Sequence, residues 1–268
     1  MNKKLFYINS EMEPFTSVPG QSKFSVDIPL GLQEKGNDVR CLMPKYGFIS
    51  ERKYILREVI RLKDISFDFE GKLYSCSAKS AFLPKSRLQV YFLENEEQFG
   101  DLNNLLFKSK NGRFLLDNDF RFAFYSLAAI KMLPNLFWFP NIIICNGWTA
   151  ALVPFLIKQL ASEDKNLSKI KTIYLTNSLN TDLVFDYKNL PYKDETLSNI
   201  KALNLNQIGC KYSDATIVID DEEKCSSKLM NSKIFKDSNN CSSVDLSKSD
   251  GESSKLLFEI EKVIKGLK

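Results

Sequence analysis

The sequence predicts an α/β protein with a doubly wound, mostly parallel sheet, a β-hairpin insertion and a C-terminal helix. Three observations carry this. The chain opens with an apolar run, a loop, a helical stretch and a second apolar run, which is the β-loop-α-β start of a parallel sheet. Further short apolar runs recur at Asn141–Cys145, Ile170–Leu175 and Ala215–Ile219, separated by helical stretches. Between the two sets lie four strand-like segments, some alternating, that read as hairpins.

Leu5–Ile8 is apolar and bounded by polar residues, as a buried strand is. Pro14 and Pro19-Gly20 punctuate the loop that follows. Residues 22–36 read as a helix ending at Gly36, and Val39–Met43 is the second strand, closed by Pro44. Tyr54–Arg61, Ile65–Phe69, Leu73–Ala81 and Leu88–Leu93 are the expected strands of the insertion. Asp117–Leu133 is an amphipathic helix with Phe120, Phe124, Leu127, Ala128 and Ile130 at helical spacing. Trp148–Leu160 and Thr196–Tyr212 read as helices, and Asp220–Met230 as a short one. Residues 231–254 are rich in Ser, Asn, Asp and Lys, the composition of a solvated linker. Lys255–Leu267 returns to helical periodicity, with Leu256, Leu257, Ile260, Val263 and Ile264 on one face, so this helix is expected to dock. The division is therefore 1–230, a linker over 231–254, and a helix over 255–268.

Composition narrows the function classes. The 268 residues contain no histidine. That removes the usual acid/base near neutral pH, every Ser-His and Cys-His nucleophile pair, and every imidazole zinc site. The net charge of +4 comes without a Lys/Arg block, so the chain does not read as a nucleic-acid binder. Cys41, Cys76, Cys145, Cys210, Cys225 and Cys241 show no knuckle or redox spacing. They read as free thiols of a reducing cytoplasm, and no metal or cofactor is expected. Met1–Lys4 leads straight into the first strand, unlike a secretory leader, and no apolar stretch reaches about 18 residues, so no membrane partner is expected.

Three loops fall at strand C-terminal ends, where doubly wound sheets bind ligands: 14–21, 146–149 and 176–180. Neither G-x-G-x-x-G nor a P-loop occurs. Pro19-Gly20 serves either as a tight turn or as a backbone approach to a phosphate or sugar. Gly147 is placed for positive φ and Thr149 for a helix cap, while Asn146 is either part of the turn or a ligand contact.

These residues resemble the N-terminal domain of bacterial glycogen synthases and plant starch synthases. Ser10-Glu11 with Pro14-Phe15 is similar to the family's S-E-x-x-P-F, and Asp38–Gly47 to D-V-R-V-L-M-P-K-Y-G. Asp117-Asn118 and Arg121–Phe124 resemble D-N-x-x-R-F-A-F-F; Ile144–Pro154 resembles H-C-H-D-W-H-T-A-L-V-P; Tyr174–Asn177 resembles T-I-H-N. Tyr212–Asp214 with Thr216–Val218 matches the family's Y-A-D … T-V-S, so the resemblance spans about residues 3–230. It implies half of a two-Rossmann (GT-B) retaining glucosyltransferase that moves glucose from ADP-glucose to an α-1,4-glucan.

The resemblance also implies losses. The lysine of K-x-G-G-L is Ser17, one glycine is Pro19, and the aspartate beyond it is Lys23. The histidines of H-C-H-D-W-H become Ile144, Asn146 and Thr149, its aspartate Gly147, and the histidine of T-I-H-N is Thr176. The expectation is an acceptor-side domain that is inactive alone. Its alternatives are an active transferase, a non-catalytic α-glucan-binding protein, and a subunit completed by a partner chain carrying a second Rossmann domain. α-Glucan and ADP-glucose are the expected small partners. The substrate-binding candidates are Ser17, Gly20, Asp117, Asn146, Trp148, Thr149 and Asn177, and no catalytic residue is assigned. Trp148 is expected to offer a sugar-stacking face.

Overall fold

The computed structural model describes residues 2–16, 24–69, 71–102, 106–176, 184–186, 192, 203–220, 226, 240–246 and 252–267. Strands β1 (Lys4–Ile8) and β2 (Asp38–Pro44) pair in parallel and flank helix α1 (Phe24–Glu34) in the chain. Gly36 has φ +87, which lets the chain turn out of α1 and into β2.

The insertion follows. β3 (Arg57–Glu58) and β4 (Ile65–Phe69) pair antiparallel with β5 (Lys72–Phe82), and β5 pairs antiparallel with β6 (Gln89–Glu94). β6 rejoins the main sheet parallel to β2. The strand expected over Tyr54–Arg61 is a correction. A helical turn, Glu51–Tyr54, is capped by Ser50 Oγ, and Ile55 at φ 53 then breaks the extended run, leaving only two residues of strand.

Helix α2 (Asn118–Lys131) crosses to β7 (Ile142–Asn146), and α3 (Leu152–Leu160) leads to β8 (Lys171–Thr176). A two-residue pair, β9 (Val184–Phe185) and β10 (Leu203–Asn204), precedes α4 (Leu205–Tyr212) and β11 (Ala215–Asp220). The helix expected from Thr196 therefore begins at Leu205 among the described residues, and most of Asp220–Met230 lies outside them. β12 (Cys241–Asp245) pairs parallel with β11, so the expected linker over 231–254 carries a strand. Only Val244 of this edge strand is buried, which is why its composition resembles a loop.

Among the described residues the main sheet runs β12-β11-β8-β7-β1-β2-β6-β5-β3, with β4 on β5. The chain winds from β1 towards β2 and β6, then returns past β1 to β7. The strand order reverses between β1 and β7, the place at the sheet's carboxyl edge where doubly wound folds bind ligands. Helices α2, α3 and α4 pack in series on each other, while α5 (Glu252–Gly266) packs on α1, β11 and β12. The expected docking of the last helix is observed. Gly31 faces it closely: a Cβ there would stand 2.5 Å from Leu257 Cδ2, so that side chain would have to shift.

Candidate functional site

The candidate site starts from the end of β1. Leu5↔Ile142 through Ile8↔Cys145 fix the register between β1 and β7, so Asn9 and Asn146 continue it side by side. Two buried tyrosines hold the backbone that follows β1. Tyr125 of α2 donates to Asn9 O at 2.7 Å and Leu42 O at 3.0 Å, and Tyr46 donates to Ser10 O at 2.8 Å. Asn9 N–H donates to Leu42 O at 3.1 Å. The main chain here is satisfied, and the side chains are not. Asn9 is 1% exposed and Glu11 2% exposed. Neither Oδ1 nor Nδ2 of Asn9 has a partner, nor has Glu11 Oε2.

Burial pushes the Glu11 carboxyl up to about 7 from 4.5. The Tyr46 hydroxyl is raised by burial and then by Glu11; the Tyr7 hydroxyl by burial, Cys41 and Glu11. Glu11 therefore sits close to both phenols. Ser25 of α1 and Asn146 lie beside the Tyr7 hydroxyl, and Asn146 Nδ2 donates to Ser25 Oγ at 3.2 Å.

The β7 loop is built as a turn. Gly147 has φ 76 and donates to Leu175 O at 2.9 Å, as its sequence position predicts. Thr149 is buried inside a 3-10 turn, Trp148–Ala150, whose N-cap is Gly147, so Thr149 does not cap a helix. Trp148 is a further correction. Trp148 is 8% exposed and its indole meets Phe107, Phe114 and Phe122 edge-to-face at 5.1, 5.9 and 4.9 Å, so it packs in the core instead of presenting a stacking face.

Asp117 lies at the start of α2, and its carboxylate pairs with Arg121. Arg121 Nε also donates to Gln98 O at 2.7 Å, and Nη1 to Asn118 Oδ1 at 3.1 Å. This set ties α2 to the insertion. At the end of β8, Thr176 Oγ1 and the Tyr174 hydroxyl both donate to Asn206 Oδ1, at 3.2 and 2.5 Å. Ser17, Gly20 and Asn177 lie outside the described residues. The structure thus brings Asn146, Trp148 and Thr149 to one loop and leaves Asp117 in a structural ion pair.

Sequence reasoning missed Asn9, Ser25 and Asn206 as site residues. For Asn9 the signal was its place at the exit of a buried parallel strand. Among the described residues no three His, Cys, Asp or Glu side chains come together to hold a metal ion. No helix of the described residues is long and apolar enough to cross a membrane.

The family model of the starch synthase catalytic domain matches residues 4–223. Glycogen synthase of Pelodictyon phaeoclathratiforme is 34% identical over 178 residues, covering 66% of this chain and 36% of that protein. Glycogen synthase of Chlorobaculum parvum is 32% identical over 219 residues, covering 80% and 45%. The chain thus spans less than half the length of these curated relatives. The solved catalytic domain of starch synthase IV from Arabidopsis thaliana, bound to ADP and acarbose, superposes with a TM-score of 0.73 at 20% identity, covering 94% of this chain and 53% of that one. That likeness concerns the fold, one half of a GT-B architecture.

Proposed function

Given that the chain belongs to the starch synthase catalytic domain family, we propose that it is the acceptor-side half of a glucosyltransferase unit. It holds an α-1,4-glucan in the β1/β7 crevice and does not by itself move glucose from ADP-glucose. One observation carries the reading. Asn146 stands where the resemblance places a histidine, and its amide is bonded to Ser25. An amide neither shuttles a proton nor balances a phosphate, yet it binds hydroxyls well. Losing one positioned base or charge clamp typically costs about 10²–10⁴-fold in rate. Ser17, Thr149 and Thr176 add to the same loss, and no histidine elsewhere in the chain replaces it. The five described cysteines are free, in keeping with a reducing cytoplasm.

Incubating the purified chain with radiolabelled ADP-glucose and glycogen tests this. No label should enter polymer above a heat-killed control. Incorporation at rates ordinary for an enzyme would overturn it.

A second reading is favoured by Glu11 alone. A carboxyl held near 7 is fit for acid/base work at neutral pH. On that reading a partner chain with a second Rossmann domain completes a working transferase. Label incorporation that appears only when such a copurifying chain is added would establish it over the first.

A further inference from the structure

We propose that the groove between α1 and α5, at the amino end of the sheet, binds a small phosphomonoester that carries hydroxyls, the chemistry of a phosphorylated polyol. The groove lies at the opposite end of the strands from the candidate site, so the proposal stands independently of the glucan reading.

A cavity of about 510 Å³ opens there, within the size range of small-molecule sites. Three lysines line it: Lys3 ahead of β1, Lys35 just past α1, and Lys265 in the last turn of α5. Among the described residues, Glu261 is the one carboxylate in its wall. The carboxyl ends of α1 and α5 also meet here, and their partial negative charge favours ammonium groups at this place. Lys3 answers that charge directly, with Nζ donating to Ile264 O and Leu267 O at 2.8 and 3.1 Å. The other two ammoniums are not consumed in this way. Lys35 Nζ stands 3.8 Å from Glu261 Oε1, too far for a hydrogen bond. Lys265 has no ion pair or hydrogen bond among the described residues.

The lining chooses the ligand. Three ammoniums against one carboxylate select an anion. A phosphomonoester carries about −1.5 to −2 charges at neutral pH and three acceptor oxygens, which suits lysines acting as point donors. Two amides extend the site. Asn2 makes no hydrogen bond among the described residues. Asn37 accepts from Lys3 N through Oδ1 and donates one Nδ2 hydrogen to Leu32 O, which leaves the second hydrogen unused. Hydroxyls both donate and accept, so they match these amides. No aromatic ring lines the cavity among the described residues, so neither a nucleotide base nor a glucan ring finds a face to stack on. A phosphate held by Lys35 and Lys265 joins α1 to α5, so binding also stabilises the docked last helix.

Titration calorimetry of the full chain with glycerol 3-phosphate, inorganic phosphate and glycerol tests the proposal. Glycerol 3-phosphate should bind and raise the melting temperature, inorganic phosphate should bind about threefold more weakly, and glycerol should not bind at the same concentrations. Lys35→Met and Lys265→Met should each weaken glycerol 3-phosphate about tenfold, the scale of one hydrogen bond to a charged group. Asn2→Ala should weaken it about threefold and leave inorganic phosphate unchanged. Lys110, exposed between the bridged residues Lys108 and Phe114, is the control: Lys110→Met removes the same charge and should leave binding unchanged. No binding of glycerol 3-phosphate by the wild-type chain overturns the proposal. A loss in Lys110→Met as large as that in Lys35→Met also overturns it, because net charge and not this groove then attracts the anion. Equal affinities for inorganic phosphate and glycerol 3-phosphate overturn the hydroxyl contacts. Melting curves without ligand confirm folding, and Lys35→Gln or Lys265→Gln replaces a methionine variant that does not fold.

Discussion

The two ends of the central sheet treat their polar groups in opposite ways. At the amino end the chain closes on itself. Lys3 Nζ donates to Ile264 O and Leu267 O at 2.8 and 3.1 Å. Asn37 accepts from Lys3 N at 3.2 Å and donates to Leu32 O at 2.9 Å. Trp138 Nε1 donates to Asp38 Oδ2 at 2.7 Å beneath the Arg40 guanidinium. At the carboxyl end Asn9 and Glu11 are as deeply buried as core residues and remain unpaired. The same strands run through both ends, so the difference lies in the side chains placed there. The amino end is closed by hydrogen bonds between its own groups, whereas at the carboxyl end Asn9 and Glu11 are left without side-chain partners.

The largest test of this contrast is at the amino side. Ile260 of α5 is fully buried in the core to which α1 also belongs. Ile260→Ala should destabilise the chain by about 2–5 kcal/mol, through lost transfer energy and the cavity left behind. Urea unfolding measures it. A loss near zero would mean α5 rests on the domain without contributing, and the amino end would lose its claim to be the stabilising one.

The second test is pH. The Glu11 carboxyl lies at about 7 in the folded chain against 4.5 for the free group. Below that lower value it is protonated in both states and has no effect on folding. As pH rises from there towards 7, the unfolded chain releases the proton while the folded chain keeps it, so stability falls. Above 7 the loss levels off, at about 3 kcal/mol. Glu11→Gln should flatten this fall in melting temperature between pH 4.5 and 7. An unchanged profile would show that Glu11 is not desolvated.

The contrast was partly legible in the sequence. Leu5–Ile8 and Ala215–Ile219 are buried on both faces, so their apolar runs announce parallel strands. β12 gave no such signal, because an edge strand needs few apolar residues and Val244 suffices. Tyr54–Arg61 misled for the opposite reason. Its apolar residues suit a strand, yet Ile55 and Ile60 are exposed and a left-handed turn at Ile55 splits the segment. At the site, Gly147 and Asn146 were legible from their place between a strand and a helix. Trp148 was misread because composition cannot tell a stacking face from a ring enclosed by Phe107, Phe114 and Phe122. Asn9 was hidden because its unmet bonds depend on what the fold fails to place beside it.

The third test returns to Asn9. Removing an unpartnered buried amide relieves a desolvation cost, so Asn9→Ala should raise stability by about 1 kcal/mol. Urea midpoints of the wild-type chain and the variant measure the gain. A loss of stability instead would show that the amide has a partner within the fold, and the contrast between the two ends would fail at its central residue.

The smallest expected effect belongs to Lys3. Its ammonium binds the carbonyl of Ile264 in the last turn of α5 and that of Leu267 just past it, where the helix dipole also favours a cation. Lys3→Met keeps most of the apolar stem and removes both bonds. The freed carbonyls lie at the end of α5, next to Lys265 and Gly266 at the surface, so water replaces part of what is lost. The cost should be about 1 kcal/mol, and it should shrink as salt is added, because the charge contribution is screened while the packing contribution is not. Thermal melts of both proteins at low and high salt separate the two. A cost independent of salt would assign the closure of the amino end to packing on α1, with the lysine following the helix and not fixing it.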